Sequence, residues 1–155
     1  MENPYEQKLK KWMTGNNVKA DHLTFNQSCH SVGEAAKAVN AKPEDFVKNI
    51  CMIDSKRNLI VAIVKGEDKA STERVGRLLN IERPRTATPE EMLEKSGYPC
   101  GGTPSFGYKA RFLIDEKVME KEAVYTGGGS ETSLVKIKPQ ELLKANNGQV
   151  ARLRK

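Results

Sequence analysis

Read for the alternation of apolar and polar positions, the chain divides into a series of short elements. Asn3 followed by Pro4 supplies an N-cap and a favoured first helical residue, and Tyr5, Leu9, Trp12 and Met13 then recur at helical spacing until Gly15. This predicts an amphipathic helix over residues 4–14. Val18 to Phe25 is β-branched and alternating, which predicts a strand. Ser31-Val32-Gly33-Glu34 is a capping box opening a short Ala-rich helix over roughly 31–40. Two apolar runs, Val47 to Ile53 and Leu59 to Val64, flank Asp54-Ser55-Lys56-Arg57-Asn58 and read as a hairpin with a five-residue loop. The second run has no polar face, so it should be a central strand covered on both sides.

Downstream, Ser71 can cap a helix carrying Val75, Leu78 and Leu79, and Thr88-Pro89-Glu90-Glu91 combines cap, first-turn Pro and capping-box Glu for another ending at Gly97. Residues 97–107 hold four Gly and two Pro in eleven positions, a composition that suits neither a helix nor a regular strand and predicts a shaped loop. Strands are expected at Ala110 to Ile114, Ala123 to Thr126 and Leu134 to Ile137, with Gly127-Gly128-Gly129-Ser130 between the last two, and a final helix from Pro139 to about Ala145. No internal repeat and no linker divides the chain, so residues 1–155 are read as one domain. Strands and helices mix without the regular alternation of a doubly wound fold, which points to α+β with a mixed, largely antiparallel sheet flanked by helices.

Composition narrows the function classes. With 155 residues and 37% apolar content, the chain suits one core, and no stretch approaches the roughly 18 apolar residues of a membrane span. The opening Met1-Glu2-Asn3-Pro4-Tyr5 lacks the basic-then-apolar pattern of a secretory signal, so a cytoplasmic protein with no membrane partner is expected. Against 20 Asp+Glu stand 26 Lys+Arg, a net charge of +6 that favours a polyanionic partner such as nucleic acid. The positive charge is spread, from Lys8, Lys10, Lys11 and Lys19 through Lys109 and Arg111 to Lys144, Arg152, Arg154 and Lys155. Such a distribution can build a phosphate-tracking surface, and solvated helix faces look the same. Cys29, Cys51 and Cys100 are odd in number and widely spaced, and His22 and His30 add no ligand pattern, so neither a disulfide framework, a metal site nor a cofactor is expected. The cysteines read as buried, inert thiols, with Cys100 beside the Gly/Pro loop.

Three features can carry chemistry. Lys48 shares the period-two face of Ile50 and Met52. It is either a strand-start residue whose stem packs while its ammonium reaches water, or a cation at the floor of a pocket able to bind phosphate or polarise a carbonyl. The loop 101–107 and the run Gly127 to Ser130 are the others: each is a tight turn, or a backbone that approaches a ligand and offers N–H groups to an anion. Neither has G-x-G-x-x-G or P-loop spacing, and there is no G-x-S-x-G elbow. His30 is an ordinary loop histidine or one that points into a cleft. An enzyme with these features would work by positioning and electrostatics, with water or a substrate group as nucleophile.

Taken in order and spacing, these segments resemble the YbaK-type aminoacyl-tRNA deacylases, free-standing relatives of the editing domain inserted in many bacterial prolyl-tRNA synthetases. Ser31-Val32-Gly33-Glu34-Ala35-Ala36 is similar to the family's first helix, and Phe46-Val47-Lys48-Asn49 to the segment bearing its essential lysine. Residues 97–107 resemble its glycine-proline loop, with Pro104 and Ser105 in the reverse of the order some members carry. The strand ending Ile114-Asp115, the loop after Val124-Tyr125-Thr126, and Val135 to Leu142 complete a match over roughly residues 20–145. The resemblance implies a barrel-like sheet and a trans-editing hydrolase that cleaves the ester of mischarged aminoacyl-tRNA. Small amino acids (Ala, Ser, Thr or Cys) are the candidates, tRNA(Pro) is the leading carrier, and an aminoacyl-tRNA synthetase is a possible partner. It implies Lys48 as the catalytic residue and His30, Gly101, Gly102, Thr103, Pro104, Gly107, Gly128, Gly129 and Ser130 as substrate-binding residues, with no metal or cofactor. A non-catalytic module that binds a tRNA end, a nucleotide or a synthetase in the same cleft stays open, because no nucleophile is visible. A phosphatase or nucleotidase is disfavoured, since no Asp/Glu/His cluster suggests a metal.

Overall fold

Leu-Ile-Val-Ala-Ile-Val has no polar face, and the strand it forms, β3 (Leu59–Lys65), is buried at six of its seven residues. The structure is a computed structural model and describes residues 3–29 and 32–155. β3 pairs with β2 (Val47–Ile53) as the expected hairpin, Ile53 opposite Leu59 across the five-residue turn. On its other side β3 pairs in parallel with β5 (Arg111–Asp115), which pairs in parallel with β8 (Gln149–Ala151). The two-residue strand β4 (Arg85–Thr86) completes the order β4-β2-β3-β5-β8.

A second, antiparallel sheet has β7 (Ser133–Ile137) between β1 (Ala20–Thr24) and β6 (Val124–Gly127). A parallel bridge from Phe46 to Tyr125, whose rings stack at 4.9 Å, joins it to the start of β2. The fold is α+β with a mixed, largely antiparallel sheet, but the strands do not close into a barrel. β4 and β8 are only two and three residues long, too short to extend the ladder around, so each sheet keeps its edges.

The period-two alternation of β3 divides the core. Leu59, Val61 and Ile63 face the main cluster with Tyr98, Phe106 and Ile114, while Ile60, Ala62 and Val64 face α3 (Thr72–Leu79) through Val75. Ser71 caps α3 by accepting from the Arg74 N–H at 3.1 Å, an arrangement worth about 1 kcal/mol. α4 (Pro89–Ser96) starts on the Thr88–Glu91 capping box and stops at Gly97, whose φ of 81° fits glycine. Glu91 also grips Arg85 with two 2.7 Å bonds, and this pairing, with the Thr88 N–H, lowers its carboxyl to about 2.

α1 (Pro4–Gly15) lays Leu9 and Met13 on the main core and stacks Trp12 on Phe106 at 5.5 Å. α2 is described from Val32 to Val39; the Ser31 cap expected for it lies outside the described residues. α5 (Pro139–Asn146) follows β7. The C-terminal segment is tied down by the buried Asp115, which accepts from the Leu153 and Arg154 N–H groups and from the Arg154 guanidinium. Burial works to raise the Asp115 pKa, but these donors and the Lys117 N–H outweigh it and hold the carboxyl below its ordinary value. Among the described residues, no helix is long and apolar enough to cross a membrane.

Candidate functional site

β2 has a strand neighbour along all seven residues on its β3 side, but on the other side β4 pairs only with Met52 and Ile53. The edge from Val47 to Ile50 is therefore left without a β4 partner, and a cavity of about 370 Å³ lies along it. Because the opening runs along an edge, side chains from both faces of β2 reach it: Lys48 and Ile50 from one, Val47, Asn49 and Cys51 from the other. The Cys51 carbonyl points across this edge to the Ala87 N–H at 2.8 Å. By the alternation of a strand, the main-chain N–H and C=O of Asn49 point the same way.

The lining is mostly apolar, with Phe46, Met92, Tyr125 and Leu134 among its residues, and Lys48 is the only charged residue among the described ones that form it. Lys48 is half-buried and has no carboxylate partner among the described residues. A cation in apolar surroundings without a counter-charge is poised for an anion that arrives with a ligand.

The two glycine loops meet each other behind this cavity. The Gly102 carbonyl accepts from the Gly129 N–H at 2.8 Å, and a Cβ on Gly102 would sit 2.6 Å from the Ser130 nitrogen. Only Gly101 and Thr103 of the first loop, with Gly127 of the second, line the cavity beside Lys48. Gly102 and Pro104 are buried in the seam, and the Pro104 carbonyl accepts from Tyr108. Gly107, with φ of 94°, packs against Leu9 and Trp12. The Gly128 carbonyl is held by His22 Nε2 at 2.8 Å. Ser130 is buried and donates to Glu6 on α1 at 2.7 Å. His30 lies outside the described residues. Of the loop N–H groups, Gly102 donates to Pro99 and Gly129 to Gly102, whereas the Gly101 N–H has no acceptor among the described residues.

One organising residue has no place in the sequence expectations. Asn49 donates from Nδ2 to the Thr103 carbonyl at 2.9 Å and to Thr126 Oγ1 at 3.2 Å, and its Oδ1 accepts from Ser105, which also bonds Thr126 at 2.6 Å. β2, the Gly/Pro loop and β6 are thus locked together next to Lys48. The signal was available: Asn49 stands on the same period-two face as Val47, Cys51 and Ile53, and an amide on a core face must find partners.

All three cysteines border this one cavity. Burial, with Cys100 adding, pushes the Cys51 thiol up to about 12, and burial also raises Cys29, while Cys100 is exposed. Raised values leave less thiolate, the reactive form. Iodoacetamide at mildly alkaline pH is therefore expected to modify Cys100 first, with Cys29 and Cys51 protected until the protein is unfolded. Peptide mapping by mass spectrometry checks this, and Cys51 labelling as fast as Cys100 would contradict it.

Comparison with known proteins bears on the same segments. The family model of the aminoacyl-tRNA editing domain matches residues 26–145. An uncharacterised protein, YwhH, of Bacillus subtilis (strain 168) is 23% identical over 128 residues, 81% of this chain and 81% of that protein. A proline–tRNA ligase of Kosmotoga olearia is 26% identical over 115 residues, 73% of this chain but only 20% of the ligase. Among solved structures, a candidate trans-editing enzyme for prolyl-tRNA synthetase superposes with a TM-score of 0.92 at 26% identity, covering 100% of this chain and 99% of the other. A hypothetical protein at 24% identity, with a TM-score of 0.88 over 96% of this chain and 99% of its own, shares the fold.

Proposed function

The chain belongs to the aminoacyl-tRNA editing domain family, and from that premise we propose that, working as one domain, it hydrolyses the ester of a mischarged aminoacyl-tRNA. The observation that carries this reading is Lys48, the one charged group among the described residues of the cavity wall. The aminoacyl group enters the cavity on the 3′-terminal adenosine. Water, or a neighbouring substrate group, adds to the ester carbonyl; the carbonyl oxygen gathers negative charge, the bond to the ribose oxygen breaks, and that oxygen leaves with a proton. With water as the attacking group the products are the free amino acid and uncharged tRNA.

Lys48 supplies positive charge to the carbonyl oxygen or to the terminal phosphate, and its effect is large because the surroundings are apolar. The Asn49 N–H on the open edge of β2, and the Gly101 N–H, which has no acceptor among the described residues, are the main-chain donors available at this wall. Thr103 lies on the wall, and Gly102, Pro104, Gly107, Gly128, Gly129 and Ser130 act through the packing that sets its shape. The resemblance to the editing family supports esters of the small amino acids Ala, Ser, Thr or Cys as the substrates, on tRNA(Pro) first. Editing of this kind is needed because one methylene is worth only about 1–3 kcal/mol of discrimination in an apolar pocket.

The test is a panel of mischarged tRNAs incubated with the protein while the aminoacyl bond is followed. Loss of the ester for one or more small amino acids on tRNA(Pro), with correctly charged prolyl-tRNA spared, is the expected result. Saturable binding with no ester loss across the panel would replace the hydrolase with a binding module.

A further inference from the structure

A second cavity, about 690 Å³, lies at the far end of the larger sheet, where the β2–β3 turn meets the start of β5. Arg57, Lys95, Lys109 and Arg111 line it, and the one carboxylate among its described lining residues is Asp54. Asp54 is committed to its own turn, accepting from the Lys56 N–H at 2.9 Å and the Asn58 N–H at 2.8 Å. None of the four cations has an ion-pair partner among the described residues. Other cations do pair, as Arg77 with Glu73, Arg85 with Glu91 and Lys121 with Asp45; what sets these four apart is that they line one cavity whose single described carboxylate is already committed.

The four come from three separate places: the hairpin turn, the last turn of α4, and the start of β5 with the segment leading into it. Arg57, Lys109 and Arg111 are exposed and Lys95 is half-buried. Like charges brought together without a counter-ion repel one another, and a polyanion relieves that repulsion. Asn147 and Gln149 add carboxamides to the rim, neutral donors suited to phosphate and sugar oxygens.

We propose that this cavity holds the phosphate backbone of the RNA whose 3′ end enters the first cavity. The inference rests on the editing reading above, and the separation of the two sites favours it. From Lys48 to the turn, β2 advances at about 3.3 Å per residue, so the second cavity lies roughly 20 Å from the lysine. A stacked strand places one phosphate about every 3.4 Å, so this span is about six nucleotides, past the unpaired 3′ end and onto the first base pairs of the acceptor stem. Flexible cations with no base-reading partner contact phosphates irrespective of sequence.

Binding of uncharged tRNA by the full chain, titrated over a range of salt, tests this without any ester chemistry. Lys109→Gln with Arg111→Gln removes two exposed cations and should leave the melting temperature in place. The expected result is an affinity at low salt about tenfold weaker and a log–log salt slope shallower by about two, one for each lost phosphate contact. Lys10→Gln with Lys11→Gln on α1 removes the same charge from exposed positions and should change affinity less than about twofold, as expected for diffuse charge. Unchanged binding in the first variant, or an equal loss in the second, would overturn the proposal. If the wild-type protein cleaves no ester on any mischarged tRNA, the hydrolase reading fails while this binding test still reads.

Discussion

Replacing Lys48 by Ala is expected to slow ester hydrolysis by about 10²–10³-fold, the usual loss when a donor to a developing oxyanion is removed. The cavity contains no other charged side chain among the described residues to take over. The fold should survive: Lys48 is half-buried, and with no carboxylate partner among the described residues its removal strands no opposite charge there. Neutral Lys48→Met keeps the length of the stem along the strand edge and isolates the charge, so its rate should fall with that of the Ala variant. Single-turnover hydrolysis of a mischarged tRNA, with a melting curve for each variant, is the measurement. Retention of more than half the wild-type rate would remove Lys48 from the reaction.

The lysine was legible as an anomaly because a β-strand has period two: a charge on the face of Ile50 and Met52 stands out. What pattern alone could not supply is why the cavity is there. It exists because β4 stops after two residues and leaves the edge of β2 bare, and a strand that short leaves no periodic trace. β8 went unpredicted for the same reason; its three residues are ordered by the Asp115 contacts with Leu153 and Arg154 that follow them. Helices with explicit caps fared best, as at Ser71 and Thr88, since a cap is a local hydrogen bond that the sequence spells out. The glycines were legible as special but ambiguous in kind. A glycine is required equally where a ligand approaches the backbone and where another backbone does, and only tertiary contact separates the two. Gly101 borders the cavity, whereas Gly102 and Gly129 serve the seam between the loops.

That separation makes Gly102→Ala the second large expected effect. Its Cβ would meet the Ser130 nitrogen at 2.6 Å and the Gly129 carbonyl carbon at 2.8 Å, and both neighbours are backbone, which cannot swing aside as a side-chain tip can. The two loops must separate, straining the 2.8 Å bond from the Gly129 N–H to the Gly102 carbonyl. Overpacking costs about 1–3 kcal/mol, and each kcal/mol lowers the melting temperature of a chain of this size by roughly 2–4 °C. Activity should fall further than stability alone accounts for, because Gly101 and Thr103 on either side of Gly102 line the cavity, and a shift of about 1 Å in a positioned group can cost 10²-fold. Gly15→Ala is the matched control: nothing lies within 4 Å of its added Cβ, and Ala is favoured over Gly in a helix by about 0.5–1 kcal/mol. It should melt at or above the wild-type temperature with full activity. A Gly102→Ala protein that melts and turns over like the wild type would show that the seam between the two loops does not set the shape of the site.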